Sequence, residues 1–283
     1  MPKVGIIGGS GLYQIDALKD IKEITVETPF GEPSDNFIIG NLDGVEVVFL
    51  ARHKRGHTIL PTELNYRANI YAMKKLGVEQ LLSISAVGSF KKELKPLDIV
   101  LPDQFVDRTN QARKTTFFGQ GIVVHISFAD PVCGHLRKII YDTGKKSGIT
   151  MHDKGIYLNM EGPAFSTRAE SHLYKSWGMD IIGMTNMPEA RLAREAEMCF
   201  ATIALVTDYD CWYEEEVNIE MVMGNLLKNV ETAKKLIKEI VPQLKGERKC
   251  ACRDALKYAI VTDKKLIPER IKEKLDIIIG KYM

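Results

Sequence analysis

The chain has 283 residues, of which 45% are apolar, and a formal net charge of +2 at pH 7. That size and apolar share suffice for a sizeable core, while the near balance of charge gives little attraction for nucleic acid or an anionic membrane. No apolar stretch is long enough to span a bilayer, and the N-terminal MPKVGIIGGSGLY lacks the long apolar segment and small-residue cleavage site of a signal peptide. A cytoplasmic protein acting on a small molecule is expected.

In chain order, short apolar runs predict strands at KVGIIG, VEVVFL, EQLLSISAV, DIVLP, IVVHIS, DIIGM and FATIALV. Helical periodicity occupies NYRANIYAMKKLG, CGHLRKIIYDTGKKSG, TRAESHLYKSWG, PEARLAREAEM and the long IEMVMGNLLKNVETAKKLIKEIV. The alternation predicts an α/β fold, and two early strands with no helix between them predict a mixed sheet. No linker or repeat divides the chain, so residues 1–283 are expected to form one domain, with a helical C-terminal extension from about residue 243.

The first strand runs into GGSG, residues 8–11, where glycines let backbone N–H groups approach an anion and the Ser10 hydroxyl adds a donor. The dinucleotide fingerprint is not completed, because the sixth position from Gly9 is Gln14, and no GK[ST] follows. Three more stretches place anion donors after strands. Arg52 and His53 follow VEVVFL. SISAVGS offers Ser85 and the Ala86 N–H, with Gly88 loosening the turn. Thr185 precedes a helix for which Asn186 and Glu189 form a capping box. Each alone is better read as an ordinary cap, surface charge or turn; four together point to phosphate. Phe165 precedes a helix whose Thr167 and Glu170 form a second capping box. It is either a packing staple or a platform for an aromatic ligand, and beside an anion site the platform is the better reading.

FATIALV ends at Asp208 and Asp210, which should lie at the C-terminal end of a buried parallel strand, where ligands bind in open α/β sheets. Carboxyls this close push one pKa upward and favour a protonated donor; the bland alternative is a solvated acidic strand end. The five cysteines are Cys133, Cys199, Cys211, Cys250 and Cys252. Free thiols and disulfides both stay open. Zinc wants four ligands, and no His or further Cys lies near KCACR in sequence, so no metal site is expected.

The motifs IIGGSG, LARHKRGH, NYRANIYA, SAVGS, DQFVDRT, EGPAFSTRAES, GMTNMPEARLA and LVTDYDCW occur in this order along the chain. With them the chain resembles the S-methyl-5′-thioadenosine phosphorylases, in the trimeric branch of the purine nucleoside phosphorylase superfamily, from Gly5 to about Trp212 and less so beyond. The resemblance implies a three-layer αβα fold with a mixed, twisted central sheet. It implies phosphorolysis of S-methyl-5′-thioadenosine to adenine and 5-methylthioribose 1-phosphate, with inorganic phosphate as co-substrate and no cofactor. Ser10, Arg52, His53, Ser85, Ala86 and Thr185 would cradle phosphate, Met184 would pack on the ribose, and Phe165 would stack on the purine. Asp208 would be the acid at N7, with Asp210 holding the 6-amino group, so that adenine is selected over a 6-oxo purine. His125 would serve a neighbour's 5′ pocket, which His57 would also approach, in a homotrimer or a hexamer of two trimers; Ser166 and Ile219 would tune specificity. Heat-stable archaeal members further imply Cys133–Cys199 and Cys250–Cys252 disulfides, with Cys211 free. The alternatives are a broader phosphorylase acting on adenosine, inosine or guanosine, a hydrolytic nucleosidase, which should lack the anion cradle, and a non-catalytic nucleoside-binding protein.

Overall fold

The computed structural model describes residues 3–9, 11–12, 14–110, 112–213 and 219–283, apart from the side chain of residue 219. Its strands are β1 (Lys3–Gly8), β2 (Lys19–Ile24), β3 (Phe37–Leu42), β4 (Val45–Ala51), β5 (Val78–Ser89), β6 (Ile99–Val100), β7 (Gln104–Arg108), β8 (Met151–His152), β9 (Ile156–Met160), β10 (Ile181–Gly183) and β11 (Cys199–Asp208). The helices are α1 (Tyr66–Lys75), α2 (Gly134–Lys146), α3 (Arg168–Ser176), α4 (Asn186–Glu195), α5 (Ile219–Ile240), α6 (Glu269–Lys274) and α7 (Asp276–Ile279). All eleven strands join one sheet in the order β2-β3-β4-β1-β5-β10-β9-β7, while β11 pairs with β5 and continues through β6 to β8. The sheet is mixed. β1, β4, β5 and β11 run parallel, whereas β2, β3 and β4 form an antiparallel meander and β10 runs against β5.

Alternation along the central strands separates two cores, because successive side chains point to opposite faces. Val4 and Ile6 of β1, Val47 and Phe49 of β4, and Ala201 and Ile203 of β11 pack under α2 and α5. Ile7, Val48, Leu50 and Phe200, from the intervening positions, pack under α1, α4 and the C-terminal segment. This gives the expected three layers. Among the described residues no helix is long and apolar enough to cross a membrane.

Several expectations need correction. IVVHIS forms no strand; Val124 makes only an isolated antiparallel bridge to Ile260, and the His125 N–H donates to the Ala259 carbonyl at 2.9 Å, so this run covers the C-terminal segment and not the sheet. SISAVGS is not a turn after a strand. β5 continues to Ser89, long enough to pair with β1 early and with β10 at Gly88 and Ser89. The C-terminal segment consists of 3₁₀ turns and the short helices α6 and α7.

Helix α5 fastens the end of β11. Asn225 and Asn229 donate from Nδ2 to the carbonyls of Thr207 and Val206, at 2.8 and 2.9 Å, while Leu236 and Ile237 are fully buried. Leu236→Ala should therefore lower the unfolding free energy by about 2–5 kcal/mol, read from urea denaturation. A loss well under 1 kcal/mol would mean that this packing contributes little.

Candidate active site

Five chain segments converge where β1, β4, β5 and β11 end. Gly8 pairs with Ala51 across the sheet, and the Arg52 N–H donates to the Gly8 carbonyl at 2.9 Å, which sets the glycine loop beside Arg52 and His53. Ser10 lies outside the described residues. The Arg52 side chain is buried and largely engaged: Nε and Nη2 grip the Glu189 carboxylate at 2.5 and 3.0 Å, Nη2 also reaches Ser83 Oγ at 2.7 Å, and Nη1 donates to the Ile84 carbonyl at 2.9 Å. Each Nη carries two N–H groups, so Nη1 retains a second donor. Glu189 thus pairs with Arg52 and does not close the expected capping box. Thr185 is the N-cap of α4, makes no capping bond from its side chain, and leaves that work to Asn159 of β9, whose Oδ1 accepts from Met187 N–H at 2.9 Å.

His53 is held neutral. Burial and the neighbouring Arg52 charge push its pKa down to about 4. Its Nδ1 lies 2.8 Å from the Ile59 carbonyl, which can only accept, so Nδ1 carries the proton and Nε2 is an acceptor. The His57 ring stacks on it, 4.5 Å between centroids.

Ser85 and Thr185 are brought together by a residue that sequence reasoning missed. β10 pairs antiparallel with β5, Ile181 against Ser89 and Ile182 against Gly88, and that direction carries Met184 and Thr185 back toward Ala86 and Ser85. The Tyr157 hydroxyl lies between the two, 3.1 Å from Ser85 Oγ and beside the Thr185 backbone. Space for it exists because residue 183 is glycine; a Cβ there would lie 1.8 Å from the hydroxyl oxygen. Ala86 itself is exposed, at the mouth of the crevice.

At the opposite side of the crevice stand the two acids. Asp208 ends β11 opposite Gly88, and both Asp208 and Asp210 are buried. A Cβ on Gly88 would sit 3.1 Å from Asp208 Oδ1 and 3.4 Å from Asp210 Cβ, so this glycine serves space inside a strand and not a turn. Burial pushes Asp208 up to about 6, with the Asp210 charge adding and the Thr207 hydroxyl, donating at 2.7 Å, opposing. Asp210 is raised by burial too, against the hydroxyl that Ser171 donates to it.

The loop that carries Phe165 is tied to both ends. Gly162, at φ +70°, lies so close to Met184 that a Cβ would come 2.5 Å from its sulfur, and the Cys211 thiol donates to the Ser166 carbonyl at 3.3 Å. Phe165 itself is 62% exposed. The capping box of Thr167 and Glu170 forms as expected. Arg113, also missed, is buried and donates to the Met184 and Glu161 carbonyls and to the Glu161 carboxylate, tying Met184 to the segment that carries Glu161. No local pattern marks Arg113 or Tyr157, whose partners lie far along the chain. Ile219 opens α5, and its side chain lies outside the described residues. His125 lines a separate cleft with Cys133, Cys250 and Cys252 in this chain.

This arrangement of anion donors facing paired acids across a mixed sheet agrees with sequence comparison: a profile described as the phosphorylase superfamily matches residues 3–242. The chain belongs to that superfamily. Within it, a protein of Geobacter sulfurreducens named S-methyl-5′-thioadenosine phosphorylase is 57% identical over 99% of both chains, and one of the same name from Thermofilum pendens is 51% identical over 92% of this chain and 98% of its own. A crystal structure of a methylthioadenosine phosphorylase from an antarctic soil metagenomic library superposes with a TM-score of 0.94 at 48% identity, covering 98% of each chain. A variant of the Schistosoma mansoni adenosine/methylthioadenosine phosphorylase, in complex with methylthioadenosine, superposes with a TM-score of 0.84 at 37% identity, covering 91% of this chain and 96% of that one. The likeness to the Geobacter protein extends through the C-terminal segment, where the motifs had faded.

The raised Asp208 pKa has a stability consequence. Between the ordinary aspartate value and about 6, the folded chain keeps a proton that the unfolded chain has lost, so stability falls as pH rises through that interval. Asp208→Asn should therefore stabilise the protein at pH 8, by up to roughly 3 kcal/mol, with the gain vanishing below pH 4. Thermal melts of both proteins across that range check this; a gain independent of pH would contradict the assignment.

Proposed function

We propose that the protein cleaves S-methyl-5′-thioadenosine by phosphorolysis, releasing adenine and 5-methylthioribose 1-phosphate. The observation that carries this reading is the buried Asp208 carboxyl, raised to about 6 at the end of β11. As phosphate bonds to C1′, the C1′–N9 bond breaks, the sugar gains oxocarbenium character, and the base takes the bonding electrons. Adenine leaves well only if a proton reaches N7. A carboxyl of this pKa is protonated in roughly one molecule in ten at neutral pH and can supply that proton at modest cost. Asp210, held by the Ser171 hydroxyl, accepts from the 6-amino group and selects adenine.

Phosphate is held by the Ser10 and Ser85 hydroxyls, the Ala86 N–H, Thr185 and the second Nη1 donor of Arg52. Neutral His53 accepts, through Nε2, the hydroxyl of the monohydrogen phosphate, so this site takes the ion in its protonated form. Met184 packs on the ribose. The exposed Phe165 ring stacks on the purine and is covered by it. Ser166 and Ile219 adjust which substrates fit. His125 faces away from this crevice within one chain, which suits a role in a neighbour's 5′ pocket and hence a homotrimer, alone or paired as a hexamer. No cofactor takes part, and the reaction belongs in the cytoplasm.

Adenine release from S-methyl-5′-thioadenosine should require inorganic phosphate; release that is indifferent to phosphate would make the enzyme a hydrolase. Measured beside adenosine, inosine and guanosine, the methylthio substrate should give the highest kcat/KM. Asp208→Asn should lower kcat by roughly 10²–10⁴-fold with the phosphate KM little changed. Gly88→Ala, which crowds both acids without removing either, should lower kcat by roughly 10–100-fold. Wild-type turnover in Asp208→Asn would remove Asp208 from the acid role, and wild-type turnover in Gly88→Ala would mean that the acids shift to make room for the added methyl.

A further inference from the structure

Four of the five cysteines meet at one point. Cys133 is the N-cap of α2, Cys199 begins β11, and Cys250 and Cys252 flank the start of a 3₁₀ turn in the C-terminal segment. Their sulfurs all lie within 4.8 Å of one another. Cys133 and Cys199 are buried, and the other two are partly so. KCACR lacks further ligands nearby in sequence, which told against a metal, but the fold supplies them from 51 and more residues away, Cys199 lying 3.2 Å from Cys250.

We propose that Cys133, Cys199, Cys250 and Cys252 form a structural site for a thiophilic divalent cation, zinc. A tetrahedral zinc with Zn–S bonds of about 2.3 Å separates its four sulfurs by roughly 3.8 Å, so this cluster reaches the geometry with shifts of well under 1 Å. Two disulfides would instead draw the sulfurs together pairwise. Cys199 lies 3.2 Å from Cys250, a member of the other implied pair, so the cluster is not sorted into Cys133–Cys199 and Cys250–Cys252 alone. A Cys250–Cys252 bridge would also close a small strained ring, whereas two cysteines one residue apart reach a single ion readily.

The surroundings suit thiolates. The Leu136 N–H donates to Cys133 Sγ at 3.5 Å, and the N-terminus of α2, a helix of 13 residues, faces the same sulfur, so negative charge there is stabilised. The Cys133 N–H donates to the Phe200 carbonyl at 2.8 Å and locks the first ligand to the strand that carries the second. A cleft of about 420 Å³, lined by Cys133, Cys250 and Cys252, gives an entry path from solvent. Binding releases the thiol protons, and the ion then pins the C-terminal segment to the floor of β11.

The test uses the full chain purified under reducing conditions without chelator. Elemental analysis should find one zinc per chain, and titration with an organomercurial should release it, read with a chromogenic zinc indicator. Cobalt exchanged into the same protein should show the ligand-field and thiolate charge-transfer bands of a tetrahedral four-sulfur site. Cys252→Ser should weaken zinc retention at least tenfold in competition with the indicator, and Cys211→Ser should leave it unchanged. If Cys252→Ser does not fold, the wild-type release curve and the cobalt spectrum decide alone. The proposal is overturned if the reduced protein takes up no zinc or cobalt, whether thiol counting in denaturant then finds two disulfides in the unreduced protein or five free thiols.

Discussion

The buried ion pair between Arg52 and Glu189 holds the crevice together. Both side chains are almost wholly removed from water, at 4% and 2% side-chain exposure, so neither charge is tolerable without the other. The pair is not isolated: Ser83 accepts from Arg52 and donates to Glu189 at 2.6 Å, and Asn186 donates to Ser83 at 3.0 Å. A bidentate pair tied through Ser83 to its neighbours has one geometry, and that geometry fixes the end of β4, the middle of β5 and the first turn of α4 relative to one another. Every anion donor described above hangs from one of these three elements or from the glycine loop that Arg52 holds through its own N–H.

On that frame the two sides of the crevice are tuned by burial in opposite directions. Desolvation keeps His53 uncharged beside Arg52 and favours the neutral carboxyl of Asp208 across the crevice. A proton donor is thereby available on one side of the crevice and an acceptor on the other. Glycines make both settings possible. Gly88 admits the acids beside β5, and Gly183 admits the Tyr157 hydroxyl between Ser85 and Thr185. The charged and hydrogen-bonding groups are thus positioned by the absence of side chains as much as by their presence.

Strand β11 connects this chemistry to the far end of the molecule. At its C-terminal end Asp208 faces the crevice, with α5 holding the neighbouring carbonyls; at its start Cys199 joins the cysteine cluster. The C-terminal segment that carries Cys250 and Cys252 also receives the His125 N–H at Ala259, so its attachment bears on where His125 points.

Much of this was legible along the chain. Period-two and period-3.6 patterns located the central strands and the five longer helices, because buried strands and amphipathic helices must repeat their apolar residues at the spacing of their own backbone. The motifs at Arg52, Ser85, Thr185 and Asp208 were legible because strand ends and helix starts leave a local trace. Edge strands such as β2, exposed and charged as KDIKEI, leave none, and IVVHIS carried a strand's pattern while serving as cover for another segment. By itself the sequence determined the class of fold and the superfamily, both carried by patterns and motifs of neighbouring residues. Only the tertiary structure decided that Glu189 pairs with Arg52 and caps nothing, that Tyr157 bridges two donors, that Gly88 makes room for acids, and that four distant cysteines share one point. Those facts are contacts between residues tens to more than a hundred positions apart, and no local spacing encodes which of many compatible partners a buried group will meet.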